Sequence, residues 1–278
     1  MGTPYRGLQP VCDNVLLEVY LNELGYLSAI DGKLDAVTRS AVKRFQAEHE
    51  LVIDGVAGEK TWTKLFASHP ELTAAIAAKW LSREDLERTS AALGLSLATV
   101  RAVYRVESCG SGFWGRRPKI LFEGHVFWKR LKLKGKLPSD SLPQYENVLY
   151  PRWDRTKYLG GPAEYGRLAS AQTVDSSAAL ESASWGLFQI MGYHADLLDY
   201  ASVEEFVSEM AKNEGAQLEA FGRFVGRTRC EGKTLLHWLR ERDWAKFAKG
   251  YNGPAFAANN YDVRLRSEYE AARIEGLR

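Results

Sequence analysis

The first group in this chain with the makings of chemistry is a single carboxylate. Residues 97–107 carry Leu97, Val100, Val103 and Tyr104 at the spacing of one helix face. Continuing the i, i+3, i+4, i+7 series from Val100 lands on Glu107, where an apolar residue belongs. Arg101, Arg105 and Ser108 fall on other faces. Ser96 can cap this helix, and Ser108-Cys109-Gly110-Ser111-Gly112 stops it and can open a cleft. A carboxyl held against apolar neighbours resists ionisation, so it keeps a proton near neutral pH, as a general acid must. The plain alternative is a structural Glu paired with an Arg, or one that ends the helix in solvent.

Two more groups follow. Ser184-Trp185-Gly186-Leu187-Phe188-Gln189-Ile190-Met191-Gly192 embeds one amide, Gln189, in an apolar run. If buried, that amide needs partners in the protein or in a ligand. Read alone, the segment is equally a packed helix. Tyr251-Asn252-Gly253-Pro254 is a turn signal with a hydroxyl and an amide at its mouth, ahead of Tyr261 and Tyr269. Alone it is ordinary turn chemistry.

The elements that position these groups read mostly as helices. Periodicity marks 72–80, 83–93, 97–107, 203–225, 234–249 and 261–275. The stretch 115–165 is rich in turn residues and aromatics, with room for a short hairpin. Ahead of all this, residues 13–66 form a separate pattern. Asp13 or Asn14 can cap a helix bearing Leu16, Val19, Tyr20 and Leu24, with Gly25 at its left-handed end. Thr38 and Thr61 can cap two more, carrying Ala41, Val42 and Phe45, then Trp62 and Leu65. Asp31-Gly32-Lys33-Leu34-Asp35-Ala36-Val37-Thr38 returns 23 residues later as Asp54-Gly55-Val56-Ala57-Gly58-Glu59-Lys60-Thr61. Asp-Gly makes a tight turn with positive φ at the glycine, so the repeat describes two turn-then-helix units.

Composition narrows the class. Of 278 residues, 45% are apolar and 26% charged, with a net charge of +2, which excludes collagen-like, low-complexity and fully disordered chains. No apolar run approaches the roughly 20 residues that span a bilayer, and no signal-peptide pattern is visible. Arg116 to Lys136 is strongly basic with Glu123 as its only acid. It reads as a solvated face; with no nucleic-acid motif, nucleic acid is not an expected partner. Cys12, Cys109 and Cys230 are too widely spaced for a disulfide framework or a metal site. Histidines His49, His69, His125, His194 and His237 lie at least 20 residues apart without an HExxH motif, which argues against a zinc peptidase or amidase.

Residues 16–65 resemble the three-helix peptidoglycan-binding domains, which alternate Asp-Gly-x-x-Gly-x-x-Thr with a helix bearing Phe-Gln, here Phe45-Gln46. Asp35 stands where that family carries Gly. Glu107-Ser108, the Gly-Leu-Phe-Gln-Ile segment and Tyr-Asn-Gly-Pro, in that order, resemble the lysozyme superfamily, in the branch of goose-type lysozymes and lytic transglycosylases. The string Arg117-Pro118-Lys119-Ile120-Leu121-Phe122-Glu123-Gly124-His125-Val126-Phe127-Trp128 is similar to the N-acetylmuramidase domain of phage endolysins.

The resemblance implies a mainly α chain. A small wall-binding domain (residues 1–70) precedes a lysozyme-like helical catalytic domain (71–278) with a short β-hairpin. It implies hydrolysis of the β-1,4 bond between N-acetylmuramic acid and N-acetylglucosamine, for host cell lysis, with Glu107 as general acid. Glu123 is the first candidate for a second carboxylate, with Glu181 and Asp175 behind it. Gln189, Tyr251, Asn252 and His125 are expected to contact the sugars. The alternatives are a lytic transglycosylase and a non-catalytic wall-binding protein. No cofactor or metal is implied. The partner is peptidoglycan, without stable membrane insertion, and the expected state is a monomer. Such an enzyme is made in the host cytoplasm and reaches the wall after holin-type release.

Overall fold

A computed structural model describes residues 14–107, 111–136, 138 and 143–275. Asp13, Cys12, Ser108 and Cys109 lie outside the described residues. The chain is mainly α, with fourteen α-helices and seven short strands among the described residues. Two hydrophobic cores divide it. One joins Leu17, Tyr20, Leu21, Phe45, Trp62, Leu65, Leu72 and Ile76; the other is far larger and runs from Leu81 to Ala272.

The first core is built by α1 (Asn14–Glu23), α2 (Ala36–Glu48), α3 (Glu59–Ser68) and α4 (Pro70–Ala77). The Asp-Gly turns form as expected, with φ of +80° at Gly32 and +76° at Gly55. The caps differ from expectation. Asp35 is the N-cap of α2, its carboxylate accepting from Val37 N at 2.8 Å and Thr38 N at 3.0 Å. Gly58 caps α3 without a side chain. Thr38 and Thr61 instead lie buried one turn inside, their hydroxyls donating to Lys33 O at 3.0 Å and Val56 O at 3.5 Å. The Asp at 35 thus supplies a stronger cap than Gly can. The inward face of α1 is also rotated from expectation: Leu17, Glu18, Tyr20 and Leu21 are buried, while Leu16 and Val19 are only partly so.

In the larger body, α5 (Arg83–Leu93) opens on a Ser82/Asp85 capping box. Ser96 caps α6 (Leu97–Glu107), its hydroxyl accepting from Thr99 N at 3.2 Å. This helix is buried on nearly every side, not on one face: Ala98 to Tyr104 and Val106 are all inside. The C-terminal helix α14 (Tyr261–Ile274) packs along it, with Arg264 Nη2 donating to Val106 O at 3.3 Å and Arg101 paired with Glu275.

A hairpin, β1 (Phe113–Trp114) with β2 (Arg117–Pro118), leads into β3 (Ile120–Phe122). That strand pairs antiparallel with β4 (Ala183–Trp185), which pairs with β5 (Ile190–Met191). The Gly-Leu-Phe-Gln segment is therefore the turn of a hairpin and not a helix. The basic run from Arg116 is partly neutralised on α7 (Gly124–Leu133) and just after it. Arg130 meets Glu181 at 2.6 Å and Lys136 meets Asp175 at 2.7 Å. Helices α8 (Glu164–Gln172) and α9 (Ser176–Glu181) pack behind the sheet.

Two expected long helices are each broken in two. The segment 203–225 is α10 (Val203–Met210) and α11 (Glu214–Arg227), with Asn213 capping the second through its side chain. The small hairpin β6 (Arg229–Cys230) with β7 (Lys233–Thr234) follows. Then 234–249 is α12 (Leu235–Glu241) and α13 (Trp244–Asn252), separated at Arg242, where φ is +56°, and Asp243. In both cases an Asn or Asp side chain that competes for backbone N–H groups restarts the helix, a signal periodicity does not register.

Candidate functional site

The C-terminal end of α6, the β4–β5 turn and the end of α13 converge on one cleft of about 610 Å³. Glu107, Gln189, Tyr251 and Asn252 all line it. Four residues singled out from distant parts of the sequence thus share one wall.

Glu107 is partly buried, the last residue of α6. Asn252 Nδ2 donates to its Oε1 at 3.3 Å, a long bond. Burial pushes the carboxyl up to about 7, against the opposing pull of the Asn252 hydrogen bond and the Arg264 charge. Desolvation wins because one amide and the charge of one guanidinium replace far less than a full hydration shell. Tyr251 fixes the floor. Its hydroxyl donates to Phe188 O at 2.8 Å, and its ring stacks on Phe247 at 5.5 Å. Burial also holds that phenol well above its ordinary value, with the Glu107 charge adding to the effect.

Gln189 is exposed at the tip of the β4–β5 turn with φ of +48°. Its amide is tied down on both sides: Ser184 Oγ donates to Oε1 at 2.8 Å and Nε2 donates to Gly186 O at 2.8 Å. A left-handed non-glycine residue is strained, and these two bonds hold it there. The amide that looked as if it would be buried is instead a rigid group on the cleft rim.

Glu123 and His125 lie elsewhere. Glu123 is the N-cap residue of α7 and lines an adjoining hollow, not the cleft that holds Glu107. The Tyr158 hydroxyl donates to Glu123 Oε2, and His125 Nδ1 stands 3.3 Å from the same oxygen. Burial lowers the His125 pKa more than the Glu123 charge raises it. Glu181 and Asp175 are structural: the first binds Arg130 and Lys134, and the second caps α9 through Ala178 N at 2.8 Å.

Some positioning residues gave no sequence signal. Glu214 and Gln217, in the first turn of α11, are buried among apolar side chains. Glu214 accepts from Gly112 N at 2.7 Å, Ser111 Oγ at 3.1 Å and Leu81 N at 2.9 Å. Gln217 Oε1 accepts from Leu187 N at 2.7 Å, and a side chain on Gly186 would run into it. One helix end therefore anchors both chain segments flanking Glu107's cleft. On the opposite rim, Glu164, fully buried, accepts from Leu159 N at 2.8 Å and Gly160 N at 2.9 Å. Arg167 neutralises it at 2.7 Å. His194 also lines the cleft, and burial favours its neutral form. These residues read as ordinary polar positions on helices; only their long-range partners distinguish them.

Glu107 is the only carboxylate on the cleft wall among the described residues. No cluster of three or more His, Cys, Asp or Glu that could hold a metal occurs among those residues. The arrangement is a partly buried carboxyl beside a cleft of mixed polar and apolar lining, with the Gln189 amide held on its rim.

The N-acetylmuramidase family profile matches residues 96–273, and a peptidoglycan-binding domain profile matches residues 14–65. The chain is similar to the crystal structure of Burkholderia AP3 phage endolysin. The two share 41% identity over 93% of this chain and 94% of that one, with a TM-score of 0.66. No match was found among curated proteins.

Proposed function

The chain belongs to the N-acetylmuramidase family, with a peptidoglycan-binding domain ahead of the muramidase domain, and on that premise we propose that it cleaves the β-1,4 bond between N-acetylmuramic acid and N-acetylglucosamine. Glu107 donates the proton. The observation that carries this reading is its place, partly buried at the end of α6 as the only carboxylate on the groove wall among the described residues, where burial pushes the carboxyl up to about 7. As the glycosidic bond breaks, the leaving oxygen gains negative charge and the sugar gains oxocarbenium character. A carboxyl still protonated near neutrality meets that oxygen without needing an acidic medium. Asn252, hydrogen-bonded to Oε1, orients the carboxyl and favours the carboxylate left behind. Gln189 and Tyr251 fit as sugar-contacting groups, one rigid on the rim and one at the floor.

We assign residues 1–70 to wall binding and 71–278 to cleavage, with α4 (Pro70–Ala77) packing its Leu72 and Ile76 back into the first core. Glu123 was the expected second carboxylate. Its place in the adjoining hollow and its engagement by Tyr158 favour binding over attack. A second reading, the lytic transglycosylase, is favoured by the same fact that leaves Glu107 alone on the cleft wall. Closure of the muramyl 6-hydroxyl onto the anomeric carbon needs one acid/base group and no water. We propose the hydrolase because the matching family is one of muramidases.

The neighbour is a phage endolysin, and we propose the same setting here: synthesis in the host cytoplasm, holin-type release, and action on the wall as a monomer. No helix among the described residues is long and apolar enough to cross a membrane. Mass spectrometry of a sacculus digest tests the reaction. Reducing muramic ends are expected; 1,6-anhydro ends select the transglycosylase, and cut stem peptides or an intact wall reject both.

A further inference from the structure

The hollow beside the cleft has an unusual lining. It measures about 480 Å³ and is walled by Trp153, Tyr158, Arg155 and Glu123. Leu121 and Gly160 line both it and the main cleft, so the two open side by side. The ridge between them at Gly160 carries no side chain, and nothing lies within 4 Å of where one would begin. That ridge is held rigid from below by the buried Glu164 carboxylate.

Trp153 is 62% exposed, although it is among the largest apolar side chains in the protein. A tryptophan left in water beside a pocket forgoes the burial that ordinarily places it. Its ring is tilted against Tyr158 at 6.5 Å and 46° and stays largely open to solvent. The Tyr158 hydroxyl is committed to Glu123, so the phenol is fixed too. That carboxylate retains lone pairs for further donors. Arg155 supplies donors at the exposed edge.

An aromatic face, a carboxylate acceptor and a guanidinium donor match a pyranose. Its C–H face is apolar, and its hydroxyl and N-acetyl groups both donate and accept. We propose that this hollow is a distal sugar subsite, which takes an N-acetylhexosamine of the same glycan strand whose scissile bond lies at Glu107. The sugar stacks on Trp153, donates hydroxyl or amide hydrogens to Glu123 and accepts from Arg155. The proposal rests on the glycan-cleaving reading above and adds which residues grip the strand beyond the bond cleaved.

The test uses the full chain and purified glycan strands separated by length. Trp153→Ala should raise KM on long strands about tenfold, which corresponds to the ~1.4 kcal/mol carried by one stacking contact. The loss should be selective for length, below twofold on the shortest oligosaccharide the wild type cleaves. Trp153→Phe should recover most of the affinity, since it restores an aromatic face. Glu123→Gln should also act on KM for long strands, with kcat retained. An unchanged KM on long strands, or an equal loss at every length, overturns the subsite. A hundredfold loss of kcat in Glu123→Gln overturns the role given to Glu123 and returns it to the chemistry. Failure of the wild type to cut glycan at all would instead sink the underlying reading, and is seen before any variant is made.

Discussion

Glu18 and Glu107 are both carboxylates on helices, both turned inward, one in each domain. Glu18 is 1% exposed and well partnered: Gly32 N and Asp31 N donate to it at 2.6 and 2.9 Å, and the Thr38 hydroxyl is shared between it, at 3.1 Å, and Lys33 O. Gln46 does the same for the second turn of the repeat, accepting from Gly55 N at 2.9 Å and donating to Val56 O at 3.0 Å. Among the described residues, Glu107 has one side-chain hydrogen bond, from the Asn252 amide at 3.3 Å. Both pKa values rise through burial, yet only Glu107 faces a groove. An inward carboxylate is therefore not by itself a catalytic signal. One whose partners are all supplied by the protein builds a turn, and one left short of partners in a cleft has capacity to spare for a substrate.

The largest break in this comparison comes from neutralising each group in turn. Glu107→Gln should lower kcat by about 10²–10⁴, the range of a positioned general acid, with sacculus binding and fold intact. Retained wall lysis removes Glu107 as the acid. Glu18→Ala should leave cleavage of soluble oligosaccharides untouched, yet orphan the turn donors at Asp31 and Gly32. Each buried donor left unpaired costs about 1–3 kcal/mol. We expect a lower melting temperature for the N-terminal unit and weaker sacculus binding. A Glu18→Ala variant as stable as the wild type would show that the turn does not need its carboxylate.

The pH dependence sharpens the same contrast at the level of one proton. A general acid must be protonated, so activity on a soluble oligosaccharide should fall about tenfold per pH unit above roughly 7. Stability follows the same group. The folded-state value is raised above the unfolded value near 4.5, so the folded state holds the extra proton between them. The favourable contribution is complete below the unfolded value and is lost as pH rises through about 7. Glu107→Gln should therefore melt with the wild type at pH 4 and above it at pH 8. Equal melting temperatures at pH 8 would mean that the carboxyl is not desolvated.

Much of this was legible in the sequence, for identifiable reasons. The Asp-Gly turns, the Ser96 cap and the position of Glu107 at the end of its helix depend on local chemistry and short spacing, and all three recur in the structure. Broken helices at 211–213 and 242–243 were not legible, because one Asn or Asp that recaps a helix scarcely disturbs a long periodic pattern. The hairpin at Gly-Leu-Phe-Gln was hidden because its strands are two or three residues long and one of them, β4, pairs with β3, more than 60 residues earlier. Glu214, Gln217 and Glu164 are invisible for the same reason: their roles lie wholly in contacts distant in sequence or folded back from a turn. The resemblance of the Phe-Glu-Gly-His segment implied a carboxylate near the chemistry, but a resemblance carried by local residues does not say which of two adjoining hollows a strand end faces.

The smallest effect concerns the one side-chain hydrogen bond of Glu107 among the described residues. Asn252 Nδ2 donates to its Oε1 and thereby favours the charged form, drawing the pKa down against burial. Asn252→Ala removes that pull without adding a charge. The alkaline limb of the activity profile should then move to higher pH, by a fraction of a unit, since a 3.3 Å bond is weak. The carboxyl also loses its orienting partner, so the plateau should drop while the limb moves outward, two changes of opposite consequence in one variant. Asn252→Asp should do more. It places a second carboxylate against the first, and like charges at that range raise the pKa of the pair. A limb that moves to lower pH in Asn252→Ala would mean that the amide acts on the protonated acid, accepting its hydrogen through Oδ1. Asn252 would then belong with the close partners of Glu18 rather than with the sparse surroundings of an acid.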